Sequence, residues 1–192
     1  MKILIVSDNS TQDNTIGQKL EEELIRELKD SNYNYKHYNV KNTKIKKCIG
    51  CFNCWLKTPG ICIYNDITRD ICKDNIGSDV YIILSEIKYG CYSSQIKRVL
   101  DRSICTILPF FKDVNGEMHH APRYDKYPQL VFLGYGSYIT TEEEKTFRRL
   151  NQANAINFQI DKSNTYICKN SETTENSIHS LLGYIKQKEG EI

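Results

Sequence analysis

Five times along this 192-residue chain a short strand-like run is followed by a stretch of helical period. That alternation restricts the fold to a doubly wound α/β arrangement, a parallel sheet with helices on both faces. The strand-like runs are residues 2–7, 34–40, 79–85, 129–133 and 163–168. Residues 79–85, DVYIILS, have the continuous apolar character of a central strand, whereas 34–40 alternate with polar residues and tyrosines as an edge strand does. Helical stretches follow at 16–28, from an Asp66 cap through 75, at 95–104, from a Thr141/Glu144 capping box to 157, and at 172–188. In the first of these, Ile16, Leu20, Leu24 and Leu28 recur every four residues with Ile25 alongside, which gives one apolar stripe. Residues 109–128, rich in turn formers and aromatics, are expected to be irregular.

Ligands of such sheets sit beyond the carboxyl ends of the strands, where the strand order reverses. Three loops meet there: 7–15, 86–94 and 134–138. The first is polar, with Asn14 or Thr15 as a helix N-cap and free backbone N–H groups that suit a phosphate. It carries neither a Gly-rich fingerprint nor a lysine, so an ordinary capped strand-to-helix connection explains it equally well.

A fourth loop, following the second strand, is the most distinctive chemistry in the chain. KCIGCFNCWLKTPGIC, residues 47–62, holds Cys48, Cys51, Cys54 and Cys62 in a C-x2-C-x2-C-x7-C spacing, with Gly50, Pro59 and Gly60 to turn the backbone. Four thiols meet the ligand count of an iron–sulfur cluster and of tetrahedral zinc. Thiol–disulfide exchange at Cys51 and Cys54, or unligated thiols beside inward-packed Phe52 and Trp55, are the other readings. Elsewhere, Cys72 and Cys105 occupy helical core positions, Cys168 ends the last strand, and Cys91 lies in the 86–94 loop.

Composition narrows the partners. A net charge of +2 with scattered basic residues gives no field for a nucleic acid. MKILIVS is too short for a signal-peptide core, and no apolar run approaches the roughly 18 residues of a membrane helix. A cytosolic protein that engages no membrane is expected. In a reducing compartment, eight cysteines favour metal or thiol chemistry over a disulfide framework.

With these loops located, the chain resembles the flavodoxin-like NAD(P)H-dependent FMN reductases, and within them the iron-sulfur flavoprotein-like group. The likeness is carried by KCIGCFNCWLKTPGIC after the second strand, YSSQIKRVLDR after the third and HHAPRYDKYP before the fourth. It implies a single flavodoxin-like domain over residues 1–192, with five parallel strands in the order 2-1-3-4-5. It also implies noncovalent FMN, NAD(P)H as electron donor, a small-molecule or other electron acceptor, and a homodimer or homotetramer with each flavin near a subunit interface. Ser7, Asn9, Asn14 and Thr15 match the positions that hold the FMN phosphate. Glu86, Tyr89, Gly90, Ser93, Gly134 and Gly136 match the flavin edge, and Tyr89, Tyr92 and Tyr135 would be either aromatic walls for the stacked rings or half-buried packing groups. Cys48, Cys51, Cys54 and Cys62 match the ligands of a [4Fe–4S] cluster. His119, His120 or Arg123 would touch substrate or nicotinamide, or else lie in a solvated loop. Two departures stand out: Asp8 and Asp13 place negative charge in the phosphate loop, and Glu86 replaces a common proline after the third strand. Carboxylates aimed at the cofactor would oppose phosphate and reduced flavin alike. The alternative readings are a noncatalytic carrier of electrons on flavin, a [4Fe–4S] cluster or both that docks on a partner protein, and, motivated by Asp8 and Glu86, a member that has lost FMN.

Overall fold

The structure, a computed structural model, describes residues 1–9, 15–160 and 162–190. Its main sheet is built from β1 (Lys2–Ser7), β2 (Asn34–Asn39), β3 (Val80–Glu86), β6 (Gln129–Tyr135) and β7 (Asn164–Cys168). These run in the order β2-β1-β3-β6-β7, and every neighbouring pair is parallel. Counting only the strands of this sheet, the order is the expected 2-1-3-4-5.

The period-2 pattern of the strands sorts the core into two layers. Ile3, Ile5, Val80, Ile82, Leu84, Val131 and Leu133 face α1 (Ile16–Asp30) and α6 (Ser171–Glu189), where they meet Leu20, Leu24, Leu28, Ile178, Leu181 and Ile185. Leu4, Val6, Tyr81, Ile83, Leu130 and Phe132 face the opposite way. They pack on Ile71 of α3 (Ile67–Ile76), Ile96 and Val99 of α4 (Ser94–Arg102), and Phe147 of α5 (Thr141–Asn157). Among the described residues no helix is long and apolar enough to cross a membrane.

Two details depart from expectation. The capping box of α5 uses Thr140 and Glu143, one residue earlier than Thr141 and Glu144: Thr140 accepts from the Glu143 N–H at 3.2 Å while Glu143 accepts from the Thr140 N–H at 3.0 Å. Thr140→Ala is expected to cost about 1 kcal/mol, read as a lower urea midpoint with an unchanged slope. The second departure lies in residues 109–128, which are not irregular throughout. Strands β4 (Ile107–Val114) and β5 (Glu117–Pro122) form an antiparallel hairpin separate from the main sheet. Its turn is Asn115-Gly116, with φ of 55° and 84°. Asn-Gly accepts the left-handed conformation that a tight two-residue hairpin demands, and that local preference outweighs the prolines around it. Pro109 is tolerated because this strand has a partner on one side only.

Candidate functional site

At the carboxyl ends of β1, β3 and β6 a buried carboxylate ties three strands together. Asp8 is 1% exposed. Its Oδ1 accepts from the Tyr135 hydroxyl at 2.9 Å and the Glu86 N–H at 3.3 Å, and the Ser85 hydroxyl lies 3.5 Å from Oδ2. Burial raises the Asp8 pKa above its ordinary value, against the hydrogen bonds from Ser93, Tyr135 and Glu86. The charge that sequence alone sets against a phosphate is thus enclosed by the protein. Glu86, the other departure, is ion-paired with Lys88 at the rim.

Around this network the remaining first-loop side chains serve the fold. Ser7 Oγ bonds His37 at 2.9 Å, Asn9 donates to the Gly17 carbonyl at 2.9 Å and receives Asn39 at 2.7 Å, and Thr15 caps α1 by accepting from the Gln18 N–H. Asn14 and Asp13 lie outside the described residues. Among the described residues, no acidic side chain occupies the first turn of α1, where the N-terminal N–H groups carry the positive end of the helix dipole.

The 86–94 loop closes as a tight turn, with Lys88 and Cys91 exchanging both backbone hydrogen bonds and Tyr89 and Gly90 at φ of 53° and 74°. A Cβ on Gly90 would come within 2.8 Å of Thr146, so this turn is seated on α5. Gly134 is likewise a packing glycine, because a Cβ there would meet Ile87 at 2.6 Å and Phe147 at 2.7 Å, while one on Gly136 would meet Ile139 at 3.2 Å. Ser93 N-caps α4. Of the aromatic side chains, Tyr92 and Tyr135 are core: Tyr92 stacks on Phe132 and bonds Asn151 and Asn154. Tyr89 and, beyond β6, Tyr138 are 92% and 97% exposed.

The cysteine loop leaves β2 and runs to α3. Left-handed residues Gly50, Phe52 and Gly60 bend it, and the single turn α2 (Asn53–Leu56) presents Cys54 and Trp55 inward. Trp55 anchors it by donating Nε1–H to the carbonyls of Ile104 and Ile107, at 3.1 and 2.9 Å. Cys48, Cys51, Cys54 and Cys62 line one cavity with Ile49, Phe52, Ile63 and Ile104. Burial, reinforced by the neighbouring thiols, pushes Cys54 up to about 11. Among the described residues no group of three or more His, Cys, Asp or Glu side chains is placed to hold a single metal ion.

Arg102 is the functional-site neighbour that sequence reasoning missed. Only 1% exposed, it donates to the carbonyls of Lys46 (2.8 Å) and Tyr64 (3.2 Å), which bracket the four-cysteine loop, and to both oxygens of Asp66 at 3.0 and 3.3 Å. The signal was present, since Ile96, Val99 and Arg102 follow one another at three-residue spacing on the buried face of α4. The histidines and Arg123 serve the hairpin. His119 bonds Glu117 and Asn157, His120 packs between Trp55 and Phe111, and Arg123 donates to the carbonyls of Cys105 and Ile107.

A scan against protein families finds no matching family. An iron-sulfur flavoprotein of Archaeoglobus fulgidus is 27% identical over 88 residues, which is 46% of this chain and 39% of that protein, so the match spans well under half the relative's length. Solved structures align almost end to end. Azoreductase AzrA superposes with a TM-score of 0.67 at 12% identity, covering 94% of this chain and 96% of that one. The fold is flavodoxin-like. An FMN-dependent NADH-azoreductase from Bacillus anthracis in complex with FMN gives 0.65 at 12% identity, covering 97% and 99%, and an NAD(P)H:quinone oxidoreductase from Methanothermobacter marburgensis gives 0.62 at 10%, covering 94% of each. In this flavodoxin-like frame the Asp8 network and the exposed Tyr89 and Tyr138 stand at the strand ends, with the four-cysteine loop after β2.

Proposed function

We propose that this chain is an oxidoreductase that binds FMN noncovalently at the crevice beyond β1, β3 and β6, takes electrons from NAD(P)H and passes them to a small acceptor. The observation that carries this reading is the disposition of charge at the switch point: of the carboxylates that would oppose the cofactor, the two described ones are engaged by the protein, Asp8 by Tyr135 and Glu86 by Lys88, and the first turn of α1 carries no acidic residue. Those N–H groups suit a phosphate. The exposed rings of Tyr89 and Tyr138 supply apolar surface against which a flavin would be screened from water. FMN, when bound, supplies a ring that accepts a hydride and releases electrons singly or in pairs. The seated 86–94 turn would hold that ring, while Tyr135 holds Asp8 inside the protein at the same strand ends.

The cysteine loop supports a second component. Its donor set is four thiols that share a largely apolar cavity, and four thiolates are the ligand count of a [4Fe–4S] cluster. Exposed Phe110, Phe111 and Met118 on the hairpin, with Ile49, Phe52 and Leu56 on the cysteine loop, support a homo-oligomer.

Anaerobically purified protein tests these assignments. Bound-flavin absorption bands and NAD(P)H oxidation that depends on an added acceptor are expected. Flavin binding without turnover would overturn the reductase in favour of an electron carrier, and failure to bind FMN would overturn both. A broad absorbance bleached by air is the expected mark of the cluster, and its absence from protein supplied with iron and sulfide would reject it.

A further inference from the structure

Beside the four-cysteine loop lies a second set of thiols, drawn from parts of the chain that the motif does not include. Cys72 on α3 and Cys105, in the 3-10 turn Ser103–Thr106 that follows α4, pack against each other and against Cys54 as one buried cluster. Both also line a cavity of about 470 Å³ that opens beside Cys62, with Thr68, Arg69, Lys73 and Tyr124 among its other walls. Cys72 also contacts the Ser103 hydroxyl at 3.9 Å, and neither thiol is bridged. Two thiols packed together and joined to solvent by a cavity that admits a small molecule are placed where a small oxidant can reach both. The remaining buried cysteine, Cys168, is packed in the opposite layer of the sheet among apolar side chains.

We propose that Cys72 and Cys105 form a peroxide-oxidised dithiol, bridged by hydrogen peroxide that enters this cavity and reopened by a small-molecule dithiol. Cys72 Sγ attacks one peroxide oxygen. The S–O bond forms as the O–O bond breaks, and the departing hydroxide takes the thiol proton and leaves as water. Cys105 Sγ then attacks Cys72 Sγ, forming the S–S bond as the S–O bond breaks, and its proton leaves with the hydroxide as a second water. Two thiols lose two electrons and the peroxide gains two. The bridge fixes α3 to the 3-10 turn whose Ile104 carbonyl anchors Trp55, so oxidation reports directly to the four-cysteine loop.

Mapping on the whole chain tests this without relying on a variant. Reduced protein is treated with one equivalent of hydrogen peroxide, blocked with N-ethylmaleimide in denaturant and digested with trypsin without reduction. Segments 70–73 and 103–112 are expected to appear as one linked species. Its loss on treatment with dithiothreitol should restore both alkylated peptides. Cys105→Ser is expected to leave Cys72 as a sulfenic acid that dimedone traps, whereas Cys72→Ser loses both the adduct and the link, and Cys168→Ser keeps the link. Recovery of Cys72 and Cys105 as alkylated thiols, or a bridge from either to Cys54 or Cys62, overturns the proposal. These readouts need neither flavin nor cluster, so they stand or fall apart from the reductase assignment.

Discussion

Asp66→Ala is expected to lower the free energy of unfolding by about 3–5 kcal/mol, because it strips the counter-charge from a guanidinium that is almost wholly inside the protein. Arg102 is 1% exposed, and Asp66 supplies the carboxylate that both terminal nitrogens reach. The same residue accepts from the Lys46 N–H at 3.2 Å and caps α3 through the Thr68 N–H at 3.1 Å, so the substitution also frees backbone donors. The pH dependence follows from the direction of its pKa. Burial acts to raise it, but hydrogen bonds from Thr68, Arg102 and the Lys46 N–H prevail, and the folded value lies below the ordinary 3.8. A carboxyl depressed in the folded state contributes stability that is fully present above its unfolded pKa and lost as pH falls through the folded one. Denaturant unfolding should therefore show the full deficit at pH 7 and a shrinking one below about 3.8. A deficit that does not change with pH would mean that the ion pair contributes nothing beyond the helix cap. Because Arg102 also binds the backbone on both sides of the cysteine loop, the variant should expose Cys54 to alkylation before the protein unfolds globally.

Asp66 also marks how far the sequence could be read. Its place before ITRDIC makes it an N-cap, and the structure agrees, but nothing local shows that a charge more than thirty residues later closes on it. The strands were legible because each central run is apolar and the period separates two core layers cleanly. The hairpin was obscured by Pro109, Pro122 and Pro128, although Asn115-Gly116 between alternating residues carries the required turn chemistry. At the switch point, the residue types at 7–9 and 86–93 suggested ligand contacts, yet hydrogen-bonding capacity does not say whether a group spends it on a ligand or on its own fold. Ser7, Asn9, Thr15 and Ser93 spend theirs internally. Cys72 and Cys105 read as core, and they are buried; that they meet each other and Cys54 is a tertiary fact with no sequence period behind it.

Tyr135→Phe isolates the other buried carboxylate and should cost about 1.5–3 kcal/mol at neutral pH, the range for losing a hydrogen bond to a charged group. The ring itself is retained, and it fills the space beside Gly17, where a Cβ would come within 2.4 Å of it, so little packing changes. Burial, followed by the charge of Asp8, pushes the Tyr135 phenol well up, which keeps it a donor at every pH used. Asp8 behaves oppositely to Asp66. Its folded pKa is raised above 3.8 by burial, so its contribution is fully present below 3.8 and is lost as pH rises through the folded value. Removing the Tyr135 hydroxyl takes away one of the bonds that hold that value down. The folded pKa rises further, and the deficit of the variant grows as pH rises through the wild-type folded pKa of Asp8, above 3.8. Adding Asp8→Asn should abolish that growth, since no charge is then left to bury. A deficit equal at pH 4 and pH 7 would show that Asp8 is still neutral at pH 7 in the native protein, and the charge arrangement at the carboxyl ends of β1, β3 and β6, on which the proposed flavin site rests, would then have to be redrawn with an uncharged carboxyl.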